Sequence, residues 1–229
     1  MSFYMKLCKS KLAVLTAIML CAGTASAAVP APVYTGTYAD MYLKQTTFPT
    51  GLNEQMVFLD AGLSSTITGH AGSQTGTPLV MFSSTTDVLD AASGFSNIKA
   101  QDGYINNITI TAPGYWFDDL IFSVNLAPNN NNDLHVTATD KLGGTDTYAG
   151  WTSLGDWVNG QNDILVLSTG GNLMQSVTIE SKIGFTVAGI DQLKQTQISG
   201  LVPVPEADTY AMLLAGLGLV GFAARRKLS

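Results

Sequence analysis

Cysteine is confined to Cys8 and Cys21, so residues 28–202 contain none. That stretch therefore has no disulfide, no thiol nucleophile and no thiolate metal site. Arginine is equally scarce: Arg225 and Arg226 are the only two. Without arginine the body lacks the guanidinium fork that grips phosphates and carboxylates through paired hydrogen bonds. Charged residues make up 12% of the 229 residues, about half the usual share of a soluble domain. Residues 28–202 hold five Lys against thirteen Asp and two Glu, a net charge of −10. Such a surface cannot neutralise a phosphate backbone, which excludes nucleic-acid binding. Hydrophobic residues still reach 46%, enough for one domain with a sizeable core.

Three lysines, Lys6, Lys9 and Lys11, precede an apolar run over residues 12–22. Ala25, Ser26 and Ala27 then form a small-x-small cleavage site. This order predicts a secretory signal peptide over 1–27, handled by the Sec translocon and signal peptidase and cut before Ala28. The run is too short for a spanning helix of about 20 residues.

At the other end, Val202-Pro203-Val204-Pro205-Glu206-Ala207 leads through Asp208 into an apolar stretch over 211–224. Arg225, Arg226 and Lys227 follow. The prolines predict an extended linker, because each disfavours helix in the residue before it. The apolar stretch predicts a single short transmembrane helix over 209–224, with Gly216, Gly218 and Gly221 permitting close helix contact. The basic end at 225–229 orients that helix with its terminus in the cytoplasm.

This three-part arrangement resembles the PEP-CTERM sorting signal of Gram-negative bacteria. The matching parts are the motif Val204, Pro205, Glu206, the segment 209–224 and the cluster Arg225, Arg226, Lys227. The third motif position is Ala207 where the family usually has proline. The resemblance implies an exosortase-type processing enzyme as partner and an association with exopolysaccharide and biofilm. It also implies a route in which the helix holds the protein transiently in the inner membrane, with the body in the periplasm. The destination is then the outer envelope or the exterior. The implied organisation is a signal peptide over 1–27, a body over 28–202 and a sorting tail over 203–229, with its motif at 203–208.

The body holds 22 Thr and 12 Asn, and turn residues recur every 8 to 15 positions. Alternation or short apolar runs predict strands over 33–43, 56–59, 79–82, 104–111, 120–126, 134–139, 164–168, 177–179, 184–187 and 193–198. Residues 87–92 offer one turn of helix. Clusters of Gly, Asn and Asp separate the runs at 69–76, 129–133, 141–146, 155–162 and 170–172. No fixed-period repeat argues for a solenoid. About ten short strands predict an all-β fold, an antiparallel β-sandwich or jelly roll. The segments 159–168, 175–179 and 190–200 resemble the closing strands of sandwich domains that often precede PEP-CTERM tails. Those domains resemble galactose-binding jelly rolls.

Catalytic chemistry is poorly supplied. His70 and His135 are far apart in the chain, and no Gly-x-Ser-x-Gly elbow is present. A glycosidase needs two facing carboxylates, and the adjacent Asp118 and Asp119 would point to opposite faces of a strand. The body is therefore expected to be non-catalytic, a secreted polysaccharide hydrolase or a purely structural surface protein being the alternatives. No cofactor is required, but Asp133, Asp140 and Asp146 lie in turn-rich segments and offer Ca²⁺ the hard oxygen ligands it prefers. Candidate glycan contacts are Trp151 and Trp157, whose rings can stack on sugars, with Asp156, Asn159 and Asn162 as hydrogen-bonding neighbours. Thr-x-Thr pairs at Thr109/Thr111, Thr137/Thr139 and Thr145/Thr147 are scattered without a period, which argues against a regular ice-binding array.

Overall fold

A computed structural model describes residues 32–43, 53–95, 97–126, 134–149, 160–181, 189–205 and 207–227. In chain order the strands are β1 (Pro32–Thr35), β2 (Ala39–Leu43), β3 (Gln55–Leu59), β4 (Gly62–Ser64), β5 (Thr66–Ala71) and β6 (Leu79–Ser83). They continue as β7 (Leu89–Ala91), β8 (Gly94–Phe95), β9 (Asn97–Ala100), β10 (Asn107–Thr111), β11 (Tyr115–Trp116) and β12 (Asp119–Leu126). The last are β13 (Leu134–Asp140), β14 (Thr145–Ala149), β15 (Gly160–Ser168), β16 (Met174–Ser181), β17 (Ile190–Ser199) and β18 (Val202–Pro203). One helix, α1 (Ala207–Lys227), follows.

The all-β expectation holds, but the sandwich or jelly roll does not. Sixteen strands form one continuous sheet in the order β1-β2-β15-β12-β17-β3-β5-β6-β10-β16-β13-β14, with β4, β7, β8 and β9 branching from it. The strand that removes the separation into two layers is β3. It pairs antiparallel with β17 through Met56 and Gln55, and with β5 through Val57, Phe58 and Leu59. The two ends of the sheet then approach each other. Asp146 on β14 accepts hydrogen bonds from the backbone N–H of Tyr38 and of Ala39, the latter at 2.8 Å. The result is a nearly closed antiparallel barrel. Alternating hydrophobicity is common to sandwiches and barrels, so the pattern of single strands does not distinguish them.

The inward positions are those that the period of two picks out. On β13 Leu134, Val136 and Ala138 are buried, while His135, Thr137 and Thr139 face outward. Ile108 and Ile110 on β10, Phe82 on β6, and Phe122 and Leu120 on β12 are fully buried in the same core. Strand β12 is buried on both faces, with Ile121 packing against Leu165 outside the main core. Residues 87–92, offered above as a turn of helix, include strand β7, whose Leu89 and Ala91 pack inward while pairing with β4 and β9. The sequence also marks 69–76 as a turn, but Gly69 lies within β5. A Cβ there would sit 2.9 Å from both Phe58 O and Val57 Cγ1. The glycine is a point of close strand approach rather than a break.

Asp87 fixes the corner between β6 and β10. It is 4% exposed and accepts from Thr86 Oγ1 at 2.7 Å, Asn106 N at 2.8 Å, Asn106 Nδ2 at 2.7 Å and Ser84 Oγ at 3.1 Å. Burial pushes this carboxyl up, but the four hydrogen bonds together outweigh it and hold it below its ordinary value.

Candidate functional site

The end of the body and the start of the tail are physically joined. Pro113 and Gly114 turn the chain after β10, with Gly114 at φ 78° and Tyr115 N donating to Ala112 O at 2.9 Å. The turn presents β11 to β18: Tyr115 pairs with Pro203 and Trp116 with Val202. One further bond, Val204 N to Gly114 O at 2.9 Å, extends the clamp into the motif. Proline lacks an N–H, so Pro203 fits only a ladder this short and exposed. Trp116 is half-buried, and Lys141 Nζ lies 5.9 Å above its ring. Val204 and Pro205 are exposed, and Glu206 lies outside the described residues. Sequence reasoning missed this clamp. The available signal is a Pro-Gly turn followed directly by two aromatic residues.

Helix α1 runs for 21 residues and leaves Met212, Leu214, Leu219 and Val220 exposed. Its existence agrees with the expected helix over 209–224, but its character does not. Among the described residues, no helix is long and apolar enough to cross a membrane. Half of the fourteen residues 211–224 are Ala or Gly, and Asp208 and Arg225 bracket them with charge. Small side chains add helix length without the apolar area that a bilayer core rewards. This overturns the expected transmembrane helix and the inner-membrane anchoring that depended on it. Of the orienting cluster, Arg225 is exposed; the side chains of Arg226 and Lys227 lie outside the described set.

Residues 203–227 match the family model of the PEP-CTERM protein-sorting motif. The chain thus carries a signal for export and sorting, and the PEP-CTERM motif implies interaction with an exosortase-type enzyme. No curated protein and no solved structure matches the chain.

The other candidate residues are dispersed. Trp151, Trp157, Asp156 and Asn159 lie outside the described residues, as does Asp133, and so do the expected signal peptide at 1–27 and the expected strand at 184–187. Asn162 is placed on β15 opposite Val124, with no exposed surface. It faces the core and presents nothing to a glycan in solution. Asp140 is 2% exposed and accepts from Leu142 N at 2.8 Å and Gly144 N at 2.7 Å. Asp146 is occupied by Tyr38 and Ala39, as described above. Both carboxylates thus satisfy backbone donors within the fold. No group of three or more His, Asp or Glu side chains able to hold a metal occurs among the described residues.

A carboxylate cluster built on Asp118 and Asp119, which the sequence shows only as neighbours in the chain, lies at the end of the body beside the tail. Ser199 Oγ donates to Asp119 Oδ2 at 2.6 Å, and Ser168 Oγ donates to Asp118 Oδ1. Asp119 is 4% exposed. Burial pushes its carboxyl up to about 6; the Ser199 bond opposes this, and the charges of Asp118 and Glu54 add to it. Glu54 joins the cluster because Gln55, its neighbour, pairs with Ile198 next to Ser199. Cavities also open elsewhere among the described residues. One of about 250 Å³ is lined by Thr86, Val88, Gln101 and Asp102, and one of about 180 Å³ by Asp90, Ala91, Ala92, Asn97 and Lys99. Neither lining combines an aromatic ring with two facing carboxylates, the arrangement a polysaccharide hydrolase needs.

Proposed function

We propose that this is an exported, non-catalytic protein of the cell surface or extracellular matrix, with a body that associates with neutral polysaccharide. The observation carrying the proposal is the PEP-CTERM motif at 203–227 attached to an all-β body. The association of such tails with exopolysaccharide supplies the ligand class. A body charge of −10 disfavours acidic polymers and favours neutral ones. The organisation proposed is a signal peptide at 1–27, a body at 28–202 and a tail at 203–229, processed by signal peptidase after Sec export and then by the exosortase-type enzyme. The purified chain on a glycan array should be retained by neutral glycans equally with Ca²⁺ and with chelator. Retention only by acidic glycans with Ca²⁺ would contradict this, and release of shortened sugars would move the reading to a hydrolase.

A further inference from the structure

The threonines that the sequence scatters are brought into register by the barrel. Reading across β5, β6, β10, β16, β13 and β14, one row of directly opposed residues is Thr66, Ser83, Thr109, Thr178, Thr137 and Thr147. The neighbouring row is Thr68, Met81, Thr111, Ser176, Thr139 and Thr145. Eleven of the twelve positions carry a hydroxyl, and the twelfth is Met81. Between the two rows the same strands point Ile67, Phe82, Ile110, Val177 and Ala138 into the core. The hydroxyl rows are therefore the outward face of this part of the sheet, and all of their residues are half-buried or exposed.

Charge is present only at the margins of this face. At one side His135 Nδ1 lies 3.6 Å from Glu180 Oε2. At the other His70 Nε2 lies 3.4 Å from Asp60 Oδ2, which also accepts from Thr68 Oγ1 at 2.7 Å. Six strands about 4.8 Å apart make the face roughly 24 Å wide, with its two rows about 7 Å apart. Hydroxyls within it are locked in pairs: Thr109 Oγ1 and Thr178 Oγ1 are 3.0 Å apart, Thr137 Oγ1 and Thr147 Oγ1 3.1 Å. A bonded pair still has one donor and three acceptor sites to offer. Thr111 Oγ1 is the exception on this face: the atom is buried and has no hydrogen-bond partner, so it is not presented to solvent.

We infer that this hydroxyl face is the surface on which the body binds a neutral polysaccharide chain. The inference rests on the polysaccharide reading above and names its site. Sugar hydroxyls find fixed donors and acceptors there, and threonine methyls supply contact for sugar C–H groups. Lacking Lys and Arg, the face cannot hold a polyanion. With one methionine as its large apolar residue, it lacks the hydrophobic centre of a stable protein interface. A strand-to-strand twist of about 20–25° accumulates to roughly 100° or more over six strands. A planar crystal lattice such as ice cannot follow that curvature, whereas a flexible polymer can.

The test is co-sedimentation of the full chain with insoluble neutral glucans and xylans. Two variants are compared with the unmodified protein. One is Thr109→Val with Thr178→Val, Thr137→Val and Thr147→Val, which removes hydroxyls and keeps the β-branched shape. The other is Thr178→Lys, which places a long charged side chain at the centre. Both should bind at least tenfold more weakly than the unmodified chain, with an unchanged melting midpoint for the valine variant. If Thr178→Lys fails to fold, the valine variant decides. Unmodified protein that binds while the valine variant binds equally well would overturn the face and leave the polysaccharide reading standing. Unmodified protein that binds none of the polymers would overturn both. Inhibition of ice recrystallisation, lost in the valine variant, would reassign the face to a lattice.

Discussion

Replacing Asp146 with alanine should lower the stability of the body by about 3 kcal/mol or more, because its carboxylate accepts two backbone N–H groups within a buried seam. Each hydrogen bond to a charged group contributes about 1.5–3 kcal/mol, and removal leaves the donors unsatisfied. The seam allows no easy replacement by rearrangement. A Cβ on Gly144 would lie 2.5 Å from Tyr38 Cε2, so the Tyr38 ring already rests directly on the glycine backbone. Thermal melting should fall by about 6–12 °C for a chain of this size. Asp146→Asn retains one acceptor oxygen and should lose clearly less. Both losses should be the same in Ca²⁺ and in chelator. An alanine variant as stable as the unmodified protein would mean that the barrel ends are not held through this residue. A Ca²⁺-dependent stabilisation abolished by the substitution would instead assign the carboxylate to a cation.

The second large effect is a gain. Asp119 has its carboxyl raised from 3.8 to about 6, chiefly by burial. A group raised in the folded state favours its protonated form there. Its favourable contribution is complete below about pH 3.8 and is lost as pH rises through about 6. At pH 8 the ionised carboxylate costs about 3 kcal/mol relative to a neutral group in the same place. Asp119→Asn keeps an oxygen for the Ser199 hydroxyl and removes the charge. The variant should match the unmodified protein near pH 3.5 and exceed it by up to about 3 kcal/mol at pH 8, measured by denaturant unfolding across that range. A difference that does not change with pH would show that the buried charge is not the cause.

Much of the fold was legible because alternation reports directly on burial. Residues 120–126, 134–139 and 193–198 sit inside observed strands β12, β13 and β17. Strands were missed where a single residue carried two meanings. Gly69 and the Lys141–Asp146 cluster look like turns, yet Gly69 permits close strand packing and Asp146 lies on β14. Closure was not legible, because it depends on β3 pairing on both edges and on a contact between Tyr38 and Asp146, 108 positions apart. The same holds for the hydroxyl face. Thr109, Thr178, Thr137 and Thr147 have no common period in the chain and acquire one only through strand register. The sorting motif was legible, since its signal is local: motif, apolar stretch and basic end follow one another without interruption. The spanning helix expected over 209–224 is overturned, although the Ala and Gly that make up half of residues 211–224 were visible in the sequence.

The claim on which the account depends is that the PEP-CTERM motif is used, so that the exported chain is sorted and trimmed at its tail. The most direct measurement is the intact mass of the protein recovered from envelope and medium fractions of cells that express it at native level. The account predicts a species beginning at or near Ala28 and ending near Pro205 or Glu206, just beyond the β11–β18 clamp, with the body otherwise whole. Recovery solely of chains that still carry Arg225, Arg226 and Lys227 would contradict it.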